Sequence, residues 1–215
     1  MRYQRKSIPV RNIFIEDSFP RQRLRVRDRD YFRRSAFSGT VFEDLLVYPI
    51  AGNPGCYGLI HGYKRFTGLR YITEMEGSEN LEVVCKVIPK AAEQPVAALL
   101  YLTMNRGLHI EPFVQLGMLN LALDSFSAEE ISAYSNIHLR HIENLLMFQK
   151  LSAEVHHWVR EELLPFEHVL YLLDLHESTE EVEHILKRAR DLCDIAGESR
   201  ITAATLEKAV DTVAA

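Results

Sequence analysis

Apolar and polar positions alternate in two different ways along this chain, and the change falls near Pro95. Before it, short apolar runs are separated by turn residues: Ile8-Pro9-Val10, Leu45 to Tyr48, Tyr57 to Ile60 and Leu81 to Ile88. Their β-branched and aromatic content predicts strands. Ala51-Gly52-Asn53-Pro54-Gly55 is a turn signal, so the second and third runs are expected to form a hairpin. One helix, from about Lys64 to Met75, carries Phe66, Leu69, Tyr71 and Ile72 and stops before Gly77.

After Pro95 the spacing is helical to the end. Pro95 to Thr103 is apolar and alanine-rich, and Phe113, Leu116, Leu119 and Leu123 recur at helical intervals. Ser127-Ala128-Glu129-Glu130 and Ser178-Thr179-Glu180-Glu181 are capping boxes, and Thr202 is placed to cap a short last helix. The expected class is α+β: a small mixed-sheet domain over residues 1–95, a helical domain over 96–177 and a C-terminal helical extension over 178–215.

Charge refines this picture by segment. Residues 1–40 carry a net charge of +7, residues 41–150 of −4 and residues 151–215 of −8, so a polyanion site is expected near the N-terminus. Arg21, Arg23, Arg25, Arg27 and Arg29 alternate, and an extended chain would place all five on one face, suited to a nucleic-acid backbone. The longest apolar run, Val96 to Leu102, is far shorter than the roughly 20 residues of a membrane span. No apolar segment follows the basic start, and the three cysteines are widely spaced without a C-x-x-C pair. A cytoplasmic protein with no membrane partner, disulfide scaffold or cysteine zinc site is therefore expected.

Two constellations carry chemistry. Between Ser127 and Met147, Ile131, Ser132, Asn136, Ile137, Ile142 and Leu145 fall at helix-turn-helix spacing, with Asn136 able to take the left-handed conformation of the turn. The second helix, about His138 to Met147, is expected to expose His138, Arg140, His141 and Asn144 to phosphates and base edges of double-stranded DNA. An ordinary helical hairpin has the same spacing. The second constellation is Gly58-Leu59-Ile60-His61-Gly62-Tyr63-Lys64-Arg65, a strand, a glycine turn and a helix opening with two cations, which suits a phosphate. It lacks Walker A spacing.

Together these features resemble the ParB/RepB partition proteins, over roughly residues 7 to 175. Leu45-Leu46-Val47 is similar to the family's P-[IL]-V-V strand with Asp44 in the proline position. Tyr57 to Arg65 resembles the Y-x-I-I-x-G-E-R-R box, with Tyr63 in place of the acidic residue. Asn105-Arg106 is similar to a shortened E-N-x-x-R motif without its glutamate, and Phe148 to Leu151 resembles the family's exit from the helix-turn-helix. The resemblance implies a ParB/sulfiredoxin-like N-terminal domain followed by an all-helical half containing the helix-turn-helix. It also implies DNA binding in partition or transcriptional regulation, and homodimers. It further implies a degenerate CTP pocket in which Gly62, Tyr63, Lys64 and Arg65 hold the nucleotide, Asn105 helps place Mg²⁺ and Arg106 contacts a phosphate. Sulfiredoxin places its catalytic cysteine directly after the box glycine, where this chain has Tyr63, so that activity is not expected. The other readings are a nucleotide hydrolase such as a weak CTPase, a nuclease on the same scaffold, and an interaction module without either ligand. No set of residues stands out as catalytic, and none as a metal site.

Overall fold

The computed structural model describes residues 3–15, 19, 44–77, 81–88, 93–105, 110–176 and 178–214. Five strands, β1 (Gln4–Pro9), β2 (Ile13–Phe14), β3 (Leu45–Pro49), β4 (Tyr57–His61) and β5 (Glu82–Val87), form one mixed sheet in the order β1-β5-β3-β4-β2. β3 and β4 are the expected hairpin: they pair antiparallel, and the turn is closed by Ile50 N–H donating to Cys56 O at 3.0 Å. Helix α1 (Tyr63–Glu76) then carries the chain to β5, which lies parallel to β3 with Leu45 opposite Cys85 and Val47 opposite Val87. That register puts four apolar side chains on one face, where they join Ile8, Leu59, Phe66 and Leu69 in a buried core.

Two details differ from the reading of the sequence. Val10 leaves the strand for a short 3₁₀ turn, Val10–Asn12, and its N–H donates to Leu81 O at 2.9 Å. Pro9, which has no N–H to give a ladder, is the last paired residue of β1. β2 pairs parallel to β4 over two residues only, too short to leave a period in the sequence.

Gly58 has a packing reason. It lies opposite Tyr48, whose buried ring crosses the strand so closely that a Cβ at position 58 would sit 2.3 Å from it.

The chain divides into two compact units, Met1–Asn136 and Ile137–Ala215. The first includes α2 (Gln94–Met104), α3 (Pro112–Leu123) and α4 (Ala128–Ser135). Both α2 and α3 open with a proline in the first turn, where its missing N–H costs nothing. Ala97, Ala98, Leu99 and Leu102 are buried on α2, which packs on α3.

The second unit holds α5 (Leu139–Lys150), α6 (Ala153–Arg160), α7 (Phe166–Leu175), α8 (Thr179–Ala196) and α9 (Ala203–Ala214). Phe148 is its centre. Fully buried, it meets Phe166 and His156 edge to face with ring centroids 4.9 and 4.8 Å apart. The caps expected at Ser178 and Thr202 form: Ser178 Oγ accepts from Glu181 N–H and Thr202 Oγ1 from Thr205 N–H. Among the described residues no helix is long and apolar enough to cross a membrane.

Candidate functional site

Strand β4 ends at His61, and Gly62 turns the chain into α1 with φ 98°. That conformation is open to glycine and strained for other residues, and a Cβ would also meet Leu45 Cδ2 at 2.5 Å. Lys64 is exposed and Tyr63 and Arg65 are half-buried in the first turn of a 14-residue helix, whose leading N–H groups have no partner within the helix. The turn, the helix start and the two cations therefore come together as the sequence suggested.

A carboxylate comes with them. Asp44 is only 7% exposed and accepts from Arg5 Nε at 2.7 Å and from a second Arg5 nitrogen at 2.9 Å. The Arg5 hydrogen bonds, with the fields of Lys86 and Arg65, hold its carboxyl below the usual range against the opposing effect of burial. Burial, reinforced by the charge of Asp44, pushes the neighbouring Cys85 thiol up to about 12. A depressed carboxyl stabilises the fold fully above its unfolded pKa, and that contribution is lost as pH falls through the folded value. Asp44→Ala should lower stability only modestly at neutral pH, because the Arg5 end of the pair is 67% exposed and its bonds compete with water. It should also flatten the loss of stability in acid, as measured by urea unfolding across a pH series.

Asn105, the C-cap of α2, is buried and reaches the same end of β4. Its Nδ2 donates to Tyr101 O and its Oδ1 accepts from His61 Nδ1, both at 2.8 Å. Both ends of the amide are thus used: Nδ2 closes the end of α2, and Oδ1 ties α2 to β4. The residues fit a bound anion: a glycine without Cβ, a helix start and two cations. They do not fit Mg²⁺, which takes oxygen ligands including one or two carboxylates. Asp44 is gripped by Arg5, Asn105 Oδ1 is bonded to His61, and no three His, Cys, Asp or Glu side chains gather among the described residues. Arg106 and the row Arg21, Arg23, Arg25, Arg27 and Arg29 lie outside the described residues.

The helix pair begins with a complete capping box. Glu130 N–H donates to Ser127 Oγ at 3.2 Å, and Ser127 N–H to Glu130 Oε2 at 2.8 Å. α4 ends at Asn136 with φ 57° and ψ 28°, the left-handed conformation its residue type suggested, and its N–H donates to Ser132 O. Ile137 and His138 follow, and His138 caps α5 by accepting from Arg140 N–H at 3.3 Å. Asn136→Gly should be nearly neutral, whereas Asn136→Val should cost about 1–2 kcal/mol because a β-branched residue is strained there. Thermal unfolding of the two variants checks this.

On α5 the expected exposure holds for His138 only. Asn144 is 2% exposed, and Arg140 and His141 are half-buried. Asn144 falls between Ile142 and Leu145 on the helical net and is drawn into the apolar stripe that packs on α7. A single carboxylate accounts for this. Asp174 Oδ1, at the end of α7, accepts from Asn144 Nδ2 at 2.7 Å and from Arg140 Nε at 3.2 Å. The Arg140 guanidinium also donates to Leu173 O at 3.0 Å, so it covers the last carbonyls of α7. The Asn144 bond first, then Arg140, holds the Asp174 carboxyl below its usual range. Burial lowers the His141 imidazole below its ordinary value, opposed by Asp174. Asp174 carries no local signal in the sequence, because its partners lie 30 and 34 residues earlier.

No family model matches the sequence, and no curated protein is significantly similar to it. Solved structures do match. The C-terminally truncated chromosome-partitioning protein ParB from Caulobacter crescentus, complexed to the centromeric parS site, overlaps 85% of this chain and 91% of its own, with 14% identity and a TM-score of 0.54. A Pnob8-like ParB-N domain overlaps 96% of this chain and 92% of its own, with 12% identity and a TM-score of 0.57. The fold is that of ParB. The ParB-like architecture accounts for the order seen here, a small mixed sheet with its glycine turn leading into a helical part.

Proposed function

We propose that this chain is a DNA-binding protein of the partition type, acting in partition or transcriptional regulation. The observation that carries the reading is the overlap, over most of both chains, with a ParB protein that was solved on its DNA site. The local backbone supports it: a capped α4, a left-handed Asn136 and a capped α5 are what a helix-turn-helix requires. The charge supports it too, because the excess of Lys and Arg lies in residues 1–40. In this reading the arginines from Arg21 to Arg29 track phosphates, and the His138 end of α5 approaches the duplex. A phosphate-bearing nucleotide such as CTP at the Gly62 turn, held by Lys64 and Arg65, is the accompanying switch. A homodimer is the assembly expected of such a protein.

Anisotropy of a labelled duplex, titrated with the whole chain at a series of salt concentrations, tests this. Binding should weaken steeply with salt, and charge reversal at Arg23 and Arg25 should make the slope shallower. Absence of binding at low salt would refute the reading.

A further inference from the structure

The N-terminal end of α5 is arranged around an acid. Arg140 lies between Asp174, 3.2 Å from its Nε, and Glu143, 3.9 Å away on the same helix. Burial holds the neighbouring His141 toward its neutral form. The charges of Arg140, Glu143 and Asp174 therefore sum to −1, so a phosphate approaching Arg140 in the free protein meets net repulsion.

Two further features leave the Arg140–Asp174 pair open to exchange. The side chains of Arg140 and Asp174 are 43% and 53% exposed, and an ion pair so open to water contributes little to the fold. Asn144 is buried, yet its Oδ1 has no hydrogen-bond partner, a cost the protein carries while the amide donates to Asp174. An exposed pair beside an amide with an unmet acceptor is open to exchange, and a phosphate offers Arg140 a charge-assisted bond of the same class as the carboxylate's.

We propose that Asp174 is a counterion lock on α5: it holds Arg140 in the free protein, and a DNA phosphate replaces it at the guanidinium when a duplex binds. The lock rests on the DNA-binding reading and adds to it a residue that sets affinity from outside the helix pair. Asp174 acts through Arg140, so it is a positioning residue. Asp174→Asn keeps an oxygen that accepts from Asn144 and Arg140 while removing the charge. Asp174→Ser keeps an acceptor of a different shape.

The test uses the full chain and a fluorescein-labelled duplex of mixed sequence. Both variants should bind roughly fivefold tighter than wild type at low salt, the scale of one exposed ion pair. The slope of log affinity against log salt should steepen by about one phosphate contact. In an Arg140→Ala background the gain should vanish, which a merely structural role for Asp174 would not produce. Equal or weaker binding by both variants, with wild type bound, overturns the lock and leaves the DNA reading standing. A gain that persists without Arg140 also overturns it. If neither wild type nor variants bind, both the lock and the reading fail.

Discussion

Gly58→Ala should leave the N-terminal unit unable to keep its native packing. The added Cβ would stand 2.3 Å from Tyr48 Cζ, with Cε1 at 2.5 Å and the hydroxyl oxygen at 2.7 Å. Tyr48 is 2% exposed and fixed opposite position 58 by the β3–β4 register, so its ring cannot swing into solvent to make room. Overpacking a core costs about 1–3 kcal/mol when neighbours can yield. Here the expected cost is at or above the upper end of that range. Denaturant unfolding of the purified variant, with hydrogen exchange to locate the damage in β3 and β4, checks it.

Phe148→Ala should be as damaging in the second unit. Phe148 is fully buried and makes edge-to-face contacts with both Phe166 and His156, while its own carbonyl lies 2.8 Å from His156 Nε2. Truncation removes the side chain that joins α5, α6 and the start of α7, and leaves a cavity lined by two rings. Buried Phe→Ala changes cost about 3–5 kcal/mol. The loss should appear in unfolding curves as a lower midpoint, with Phe148→Leu recovering much of it.

What the sequence revealed follows from the range of the interactions involved. The Ser127 capping box, the left-handed Asn136 and the glycine turn at Gly62 depend on residues within four positions of one another, and each is legible from residue type. Strand order is not local. β1 pairs with β5 across most of the unit, and Arg5 meets Asp44 over 39 positions, so the acid held at the start of β3 has no local signal in the sequence. Asn144 departs from the expected exposure for a related reason. Its polarity suggested an exposed face, but burial became tolerable because Asp174 arrives from α7 to accept from its amide. Likewise Asn105 was brought to the Gly62 end as the resemblance implied, but its amide is spent on Tyr101 and His61.

In the proposed function the Asn136 turn and the start of α5 meet DNA. Hydrogen exchange of the whole chain with and without saturating duplex tests it most directly. Slower exchange at the Asn136 turn and through the first turns of α5, centred on His138 to His141, is the predicted footprint. Bound duplex that leaves 128–150 exchanging as in the free protein would contradict it.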